Sequence, residues 1–97
     1  MSKKTYYVYI MSNNKPVLYV GMTNNLERRV WEHKTGHFQS SFTDYYKCQK
    51  LLYYETFSQA KDASNRENNL KNWQREWKMD LIKKANSQLN DISKDWE

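Results

Sequence analysis

Five side chains in this sequence have the types needed to hydrolyse a phosphodiester bond. They are two phenols, Tyr9 and Tyr19, a guanidinium, Arg29, an imidazole, His33, and a distant carboxylate, Glu67. A guanidinium can clamp a phosphate and steady the charge that grows on it during reaction. An imidazole moves protons near neutral pH. A phenol is a weak base because its ordinary pKa is about 10. It therefore needs a neighbouring metal, Arg or His to act as a base, or else it only orients the attacking water. Which of the two tyrosines orients that water is open from the residues. A carboxylate on the inward face of a helix needs a cation, because an unpaired buried charge costs several kcal/mol. That cation is either an arginine, Arg29 among the choices, or Mg²⁺, which accepts one or two carboxylates and fills its shell with water and substrate phosphate. Each group also has a plainer use. His33 could simply pack, and strand tyrosines commonly fill a core with the hydroxyl at its rim.

The elements that must position these groups can be read from pattern. Residues 6–11 are a run of β-branched and aromatic side chains, which suits a strand covered on both faces. Asn13, Asn14, Lys15 and Pro16 make a turn, and residues 17–21 form the antiparallel partner, ending at Gly21. Thr23 or Asn24 is the expected N-cap of a first helix. At about 100° per residue, Leu26 and Val30 share its buried face, Arg29 and His33 border that face, and Arg28 points to solvent. Residues 35–49 show no period and make a long connection. Residues 50–56 read as a third strand, and Ser58 as the cap of a helix over 59–72 whose stripe is Ala60, Ala63 and Leu70, with Glu67 in its middle. A third helix over 74–85 is expected to turn Trp73, Trp77 and Leu81 inward. The final stretch, residues 86–97, is polar apart from Leu89, Ile92 and Trp96, and whether it docks is open.

Composition bounds the rest. The chain has 97 residues, of which 38% are hydrophobic and 15% aromatic, so one domain over 1–97 must be held by a small, ring-rich interior. Sixteen Lys and Arg against eleven Asp and Glu give a net charge of +5, which favours polyanionic partners, nucleic acid above all. Cys48 is the single cysteine, so an intrachain disulfide is excluded and a reducing compartment fits. No segment approaches the ~20 apolar residues of a membrane span, and the first residues lack a signal-peptide core. A soluble, cytoplasmic protein is expected.

The spacing of these residues resembles the GIY-YIG nuclease superfamily, most closely its small single-domain branch with Slx1-like relatives. Tyr7-Val8-Tyr9 matches the first signature with Tyr7 in place of Gly, and Tyr19-Val20-Gly21 the second with Val for Ile. Arg29 followed four residues later by His33 fits the helix pattern, and Arg66-Glu67 fits the later helix with its metal-binding Glu. The resemblance covers about residues 5–92 as the core of the domain and implies an α+β fold, a three-stranded antiparallel sheet flanked by about three helices. It implies Tyr9, Tyr19, Arg29 and His33 as catalytic residues and Glu67 as the ligand of one Mg²⁺ or Mn²⁺. The implied function is a metal-dependent DNA endonuclease, structure-selective and acting in repair or recombination, with Arg28 and Lys34 gripping the DNA backbone without reading sequence. Met22 stands where some members carry a lysine, which shifts weight to the tyrosines. Asn86 matches an asparagine near the end of the domain, although Ser87 replaces the proline expected after it. With no attached DNA-binding or zinc module expected, target choice falls to the 35–49 loop or to a partner protein. Two other readings fit the same residues: a nucleic-acid-binding module of this fold that cuts little, and an interaction subunit presenting Trp73 and Trp77.

Overall fold

The computed structural model describes residues 4–37 and 46–96. Within them the chain runs β1 (Tyr6–Ser12), β2 (Leu18–Thr23), α1 (Leu26–Thr35), β3 (Lys50–Phe57), α2 (Ala60–Asn72) and α3 (Arg75–Ala85). The strands form one antiparallel sheet in the order β2-β1-β3. The fold is therefore α+β, as the resemblance implied.

The central place of β1 explains its unbroken run of large side chains. Val8 and Ile10 pack with Val20, Leu52, Ala63, Leu70 and Ile82, beneath α2 and α3. Tyr9 and Met11 point the other way and pack with Leu26, Val30, Cys48 and Leu51, beneath α1. A register shift between Ile10 and Met11 lets Leu51 serve the α1 face while Leu52 serves the other. The turn between β1 and β2 is built on Asn13, whose Oδ1 accepts from the backbone N–H of Lys15 at 2.9 Å and of Val17 at 2.8 Å.

Several boundaries differ from the pattern reading. β2 continues past Gly21 to Thr23, because Thr23 still pairs with Tyr7. The cap of α1 is Asn25, not Thr23 or Asn24: Asn25 Oδ1 accepts from the Arg28 N–H at 3.2 Å. Thr23 Oγ1 instead accepts from the Asn25 N–H at 3.1 Å and fixes the approach to the helix. The helix ends at Gly36, whose φ of 78° is the left-handed conformation that lets its N–H reach the Glu32 carbonyl. α2 starts after Gln59 with no side-chain cap, so Ser58 does not have that role. Ala63 and Leu70 are buried as expected, whereas Ala60, in the first turn, is exposed.

Trp77 is 53% exposed rather than inward. The four-residue spacing from Trp73 to Leu81 does not run along one helix, since Trp73 and Gln74 are extended residues that end α2 and start α3. Ile82 is the buried residue of α3. Residues 86–96 dock. The Ile92 N–H donates to the Leu51 carbonyl at 2.8 Å, Asp91 Oδ1 accepts from the Leu51 N–H at 3.0 Å, and Asn86 Nδ2 donates to the Leu52 carbonyl at 3.1 Å. Of the 35–49 connection, residues 38–45 lie outside the described residues, and with them most of the expected target-choosing loop. Among the described residues no helix is long and apolar enough to cross a membrane.

On the α2 side of the sheet, Arg66 grips Glu55 with Nε and Nη2, each at 2.8 Å, while the Tyr53 hydroxyl donates to the same carboxylate. Burial pushes the Glu55 carboxyl up, but the Arg66 and Tyr53 hydrogen bonds and the Arg66 charge outweigh it, and the net shift is downward. A carboxyl that titrates lower when folded stabilises the fold fully above its unfolded pKa, and the contribution drains as pH falls through the folded value. Glu55→Gln is therefore expected to cost about 1–2 kcal/mol at neutral pH. It should also flatten the loss of stability below about pH 4, read as urea midpoints across pH. An unchanged acid slope would contradict this role.

Candidate active site

Tyr9 lies at the centre of the site and is fully buried. Its partner across the β1–β2 ladder is Gly21, and an added Cβ at Gly21 would sit 2.5 Å from both Cζ and the hydroxyl oxygen of Tyr9. The glycine thus makes room for the phenol itself, rather than ending a strand or clearing a path for a ligand. Gly21→Ala is expected to push the Tyr9 ring aside, at about 1–3 kcal/mol of overpacking, and to break the Tyr9–His33 hydrogen bond. Thermal unfolding and the chemical shifts of the His33 ring would register both effects, and an unperturbed His33 would contradict the packing.

The helix α1 crosses the same face and delivers the other groups. Leu26 and Val30 anchor it in the core, and His33, one turn on, is 5% exposed. His33 Nε2 lies 3.1 Å from the Tyr9 hydroxyl. The Tyr19 and Tyr9 rings stand edge-on to the imidazole, with centroids 5.5 and 5.6 Å away, and 6.5 Å from each other. Arg29 borders the buried face with its side chain 30% exposed, whereas that of Arg28 is 74% exposed. Glu32 draws both arginines, with Oε1 3.1 Å from Arg29 Nε and Oε2 3.4 Å from Arg28 Nε.

The electrostatics follow from this crowding. Burial pushes the Tyr9 phenol well above its ordinary value. The Arg29 hydrogen bond and charge oppose that shift, and the charges of Tyr19 and Glu67 add to it. Tyr19 is raised as well, first by burial, with Lys71 and Arg29 pulling down and Glu67 and Cys48 pushing up. Both phenols are therefore protonated at neutral pH. The Tyr9 hydroxyl, still carrying its proton, is placed to share a hydrogen bond with His33 Nε2.

Glu67 arrives from α2, which packs against both β1 and β2. Its side chain is 19% exposed, and its carboxylate lies 3.2 Å from Lys71 Nζ, one turn along the helix. Its charge adds to the upward push on both phenols. Lys34 also carries an ion pair. Its ammonium lies 2.6 Å from Asp91 Oδ2, where it ties α1 to the docked C-terminal segment, with the side chain 33% exposed. Asp91 is held below the usual carboxylate range: burial raises it, but hydrogen bonds from Lys34, Ser93 and the Leu51 backbone prevail. Asn86 likewise has a structural task, capping α3 and bonding Leu52 and Asn90.

Pattern reading passed over Glu32, which aims the two arginines, and Lys71, which competes for Glu67. Both were signalled by the i,i+3 and i,i+4 spacing of opposite charges. Among the described residues no three His, Cys, Asp or Glu side chains cluster as a metal cage. One partly open carboxylate beside phenols is a poor match to a zinc site but suits a hard cation that completes its shell with water and phosphate.

Residues 5–80 match the GIY-YIG catalytic domain. The chain belongs to the GIY-YIG family. It is 38% identical over 76 residues to a UPF0213 protein of Clostridium perfringens, covering 78% of this chain and 81% of that one. A UPF0213 protein of Syntrophus aciditrophicus is 35% identical over 83 residues, covering 86% and 93%. The solution NMR structure of a UPF0213 protein from Bacillus halodurans matches with a TM-score of 0.56 over 95% of this chain and 97% of that one, at 20% identity, which supports the shared fold. This GIY-YIG domain is thus of the nuclease type, built on β1, β2, α1, β3 and α2 with the first part of α3.

Proposed function

We propose that the chain is a metal-dependent endonuclease that hydrolyses phosphodiester bonds in DNA. The observation that carries this reading is the Tyr9–His33 contact at 3.1 Å, with Arg29 hydrogen-bonded to the same phenol and Glu67 acting electrostatically on both tyrosines. Arg29 binds the scissile phosphate and stabilises the charge that develops on it. Arg28, the more exposed, holds a neighbouring phosphate.

Tyr9 is covered in this structure, with the Arg29 guanidinium beside it. A phosphate that draws Arg29 toward its own oxygens uncovers the hydroxyl. Tyr19, partly exposed, orients the attacking water. The water's proton passes to the Tyr9 oxygen as the phenol gives its own to His33 Nε2, so the pair ends as a neutral phenol and an imidazolium. No free phenolate is required, which matters because burial makes one costly. Glu67 would hold a single Mg²⁺ or Mn²⁺ in place of its contact with Lys71, and such an ion supplies Lewis-acid charge beside the phosphate.

The test is cleavage of nicked, branched and single-stranded DNA with Mg²⁺ or Mn²⁺. Cleavage that stops on chelation is expected. Salt-sensitive binding with no turnover on any of these substrates would overturn the enzymatic reading and leave a binding module of the same fold.

A further inference from the structure

A hollow of about 230 Å³ opens beside the N-terminus of α1, lined by Tyr7, Tyr54, Trp96, Asn24, Asn25 and Glu27. Tyr7 and Tyr54 meet edge to face, with centroids 6.2 Å apart. Tyr54 and Trp96 remain 39% and 37% exposed, so much of their ring surface is not used in the core. A second hollow of about 250 Å³, lined by Thr23, Asn24, Asn25, Arg28, Arg29 and Glu32, lies beside it. Asn24 and Asn25 form the wall common to both. Arg28 and Arg29 thus line the hollow that adjoins the rings, with the two asparagines between them.

We infer that the aromatic hollow is a nucleobase subsite, taking an unpaired base of the strand whose phosphate sits at Arg28 and Arg29. Aromatic side chains stack on any base that is free of a duplex. Two amides and a carboxylate at the rim then supply its edge contacts. Glu27 can only accept hydrogen bonds when ionised; adenine, cytosine and guanine offer it an exocyclic amino group, whereas thymine offers only a ring N3–H flanked by two carbonyl oxygens that repel a carboxylate, so thymine is disfavoured. Aromatic rings with a carboxylate also suit an organic cation. The two neighbouring arginines and the net charge of +5 act against such a ligand and in favour of a polyanion. This inference rests on the proposed DNA cleavage and deepens it: the preferred substrate carries unpaired nucleotides next to the scissile bond, as at a flap, gap or frayed end.

Binding can be measured separately from cleavage, with labelled dA, dC and dT oligonucleotides, and a fully paired duplex, titrated in the presence of a chelator. The wild type should bind dA and dC more tightly than dT. Trp96→Ala and Tyr54→Ala should each weaken single-strand binding roughly five- to hundredfold, the range for loss of one stacked base, while duplex binding stays within about twofold. Glu27→Gln should level the preference for dA and dC over dT. Circular dichroism identifies any variant that fails to fold, and Trp96, whose backbone N–H donates to the Ser93 carbonyl, can be replaced without opening the core. Aromatic variants that bind every strand like the wild type would overturn the subsite. Saturation of the hollow by tetramethylammonium or a trimethyllysine peptide, with no response to oligonucleotides, would overturn it in favour of a cation. A chain that never cleaves but loses single-strand binding in these variants would keep the subsite and refute the catalytic reading alone.

Discussion

Glu67→Ala is expected to lower metal-dependent DNA cleavage at least about a thousandfold, the equivalent of roughly 4 kcal/mol of transition-state stabilisation. Among the described residues no other acidic, His or Cys side chains form a cage that could take over the ion. The fold should be nearly indifferent to the change. The substitution removes an i,i+4 ion pair with Lys71, whose side chain is 50% exposed, and such pairs contribute about 0.5 kcal/mol or less. Glu67→Gln sharpens the test, since the amide keeps the shape and can still bond Lys71 but lacks the charge that binds a cation. Both variants should melt with the wild type and fail to cut. Equal cleavage by wild type and Glu67→Ala, with purified protein in the same buffer, would show that the metal is held elsewhere or that the activity comes from a contaminant.

Tyr9→Phe is expected to reduce turnover about 10²- to 10⁴-fold, the usual worth of a positioned proton-transfer group. The phenyl ring fills the same space over Gly21, so packing survives, and the loss of the hydroxyl's bond to His33 costs about 1 kcal/mol of stability. Burial also predicts the pH behaviour of the wild type. Because the Tyr9 phenol is pushed well above its ordinary value, no rise in rate centred near pH 10 should appear. A pH–rate profile that climbs with a midpoint near 10, and loses that limb in Tyr9→Phe, would show a free phenolate at work and contradict the relay through His33.

Much of this architecture was legible in the sequence because its signals are local. The run at residues 6–11 could only be a strand covered on both sides, and β1 is the central strand with a core on each face. The different settings of Arg28 and Arg29 followed from helical angle alone. What escaped was set by contacts distant in the chain. Gly21 reads as a strand end until its cross-strand neighbour is known to be a tyrosine that lies over it. Lys34 reads as a solvent cation until Asp91 folds back beside it. The four-residue spacing of Trp73, Trp77 and Leu81 suggested one inner stripe, but the break at Trp73 and Gln74 restarts the helix and leaves Trp77 outside. The hollow of Tyr7, Tyr54 and Trp96 has no sequence signature, because it draws one ring from each of β1, β3 and the docked C-terminal segment.

The central claim, a divalent ion held by Glu67 beside two phenols and a guanidinium, is tested most directly by titrating Mn²⁺ into the folded chain with a non-hydrolysable oligonucleotide and following proton NMR. Paramagnetic broadening of the Tyr19 and Tyr9 ring signals at low Mn²⁺, absent in Glu67→Ala, is the predicted result. Broadening that spares both rings, or that persists unchanged in Glu67→Ala, would contradict it.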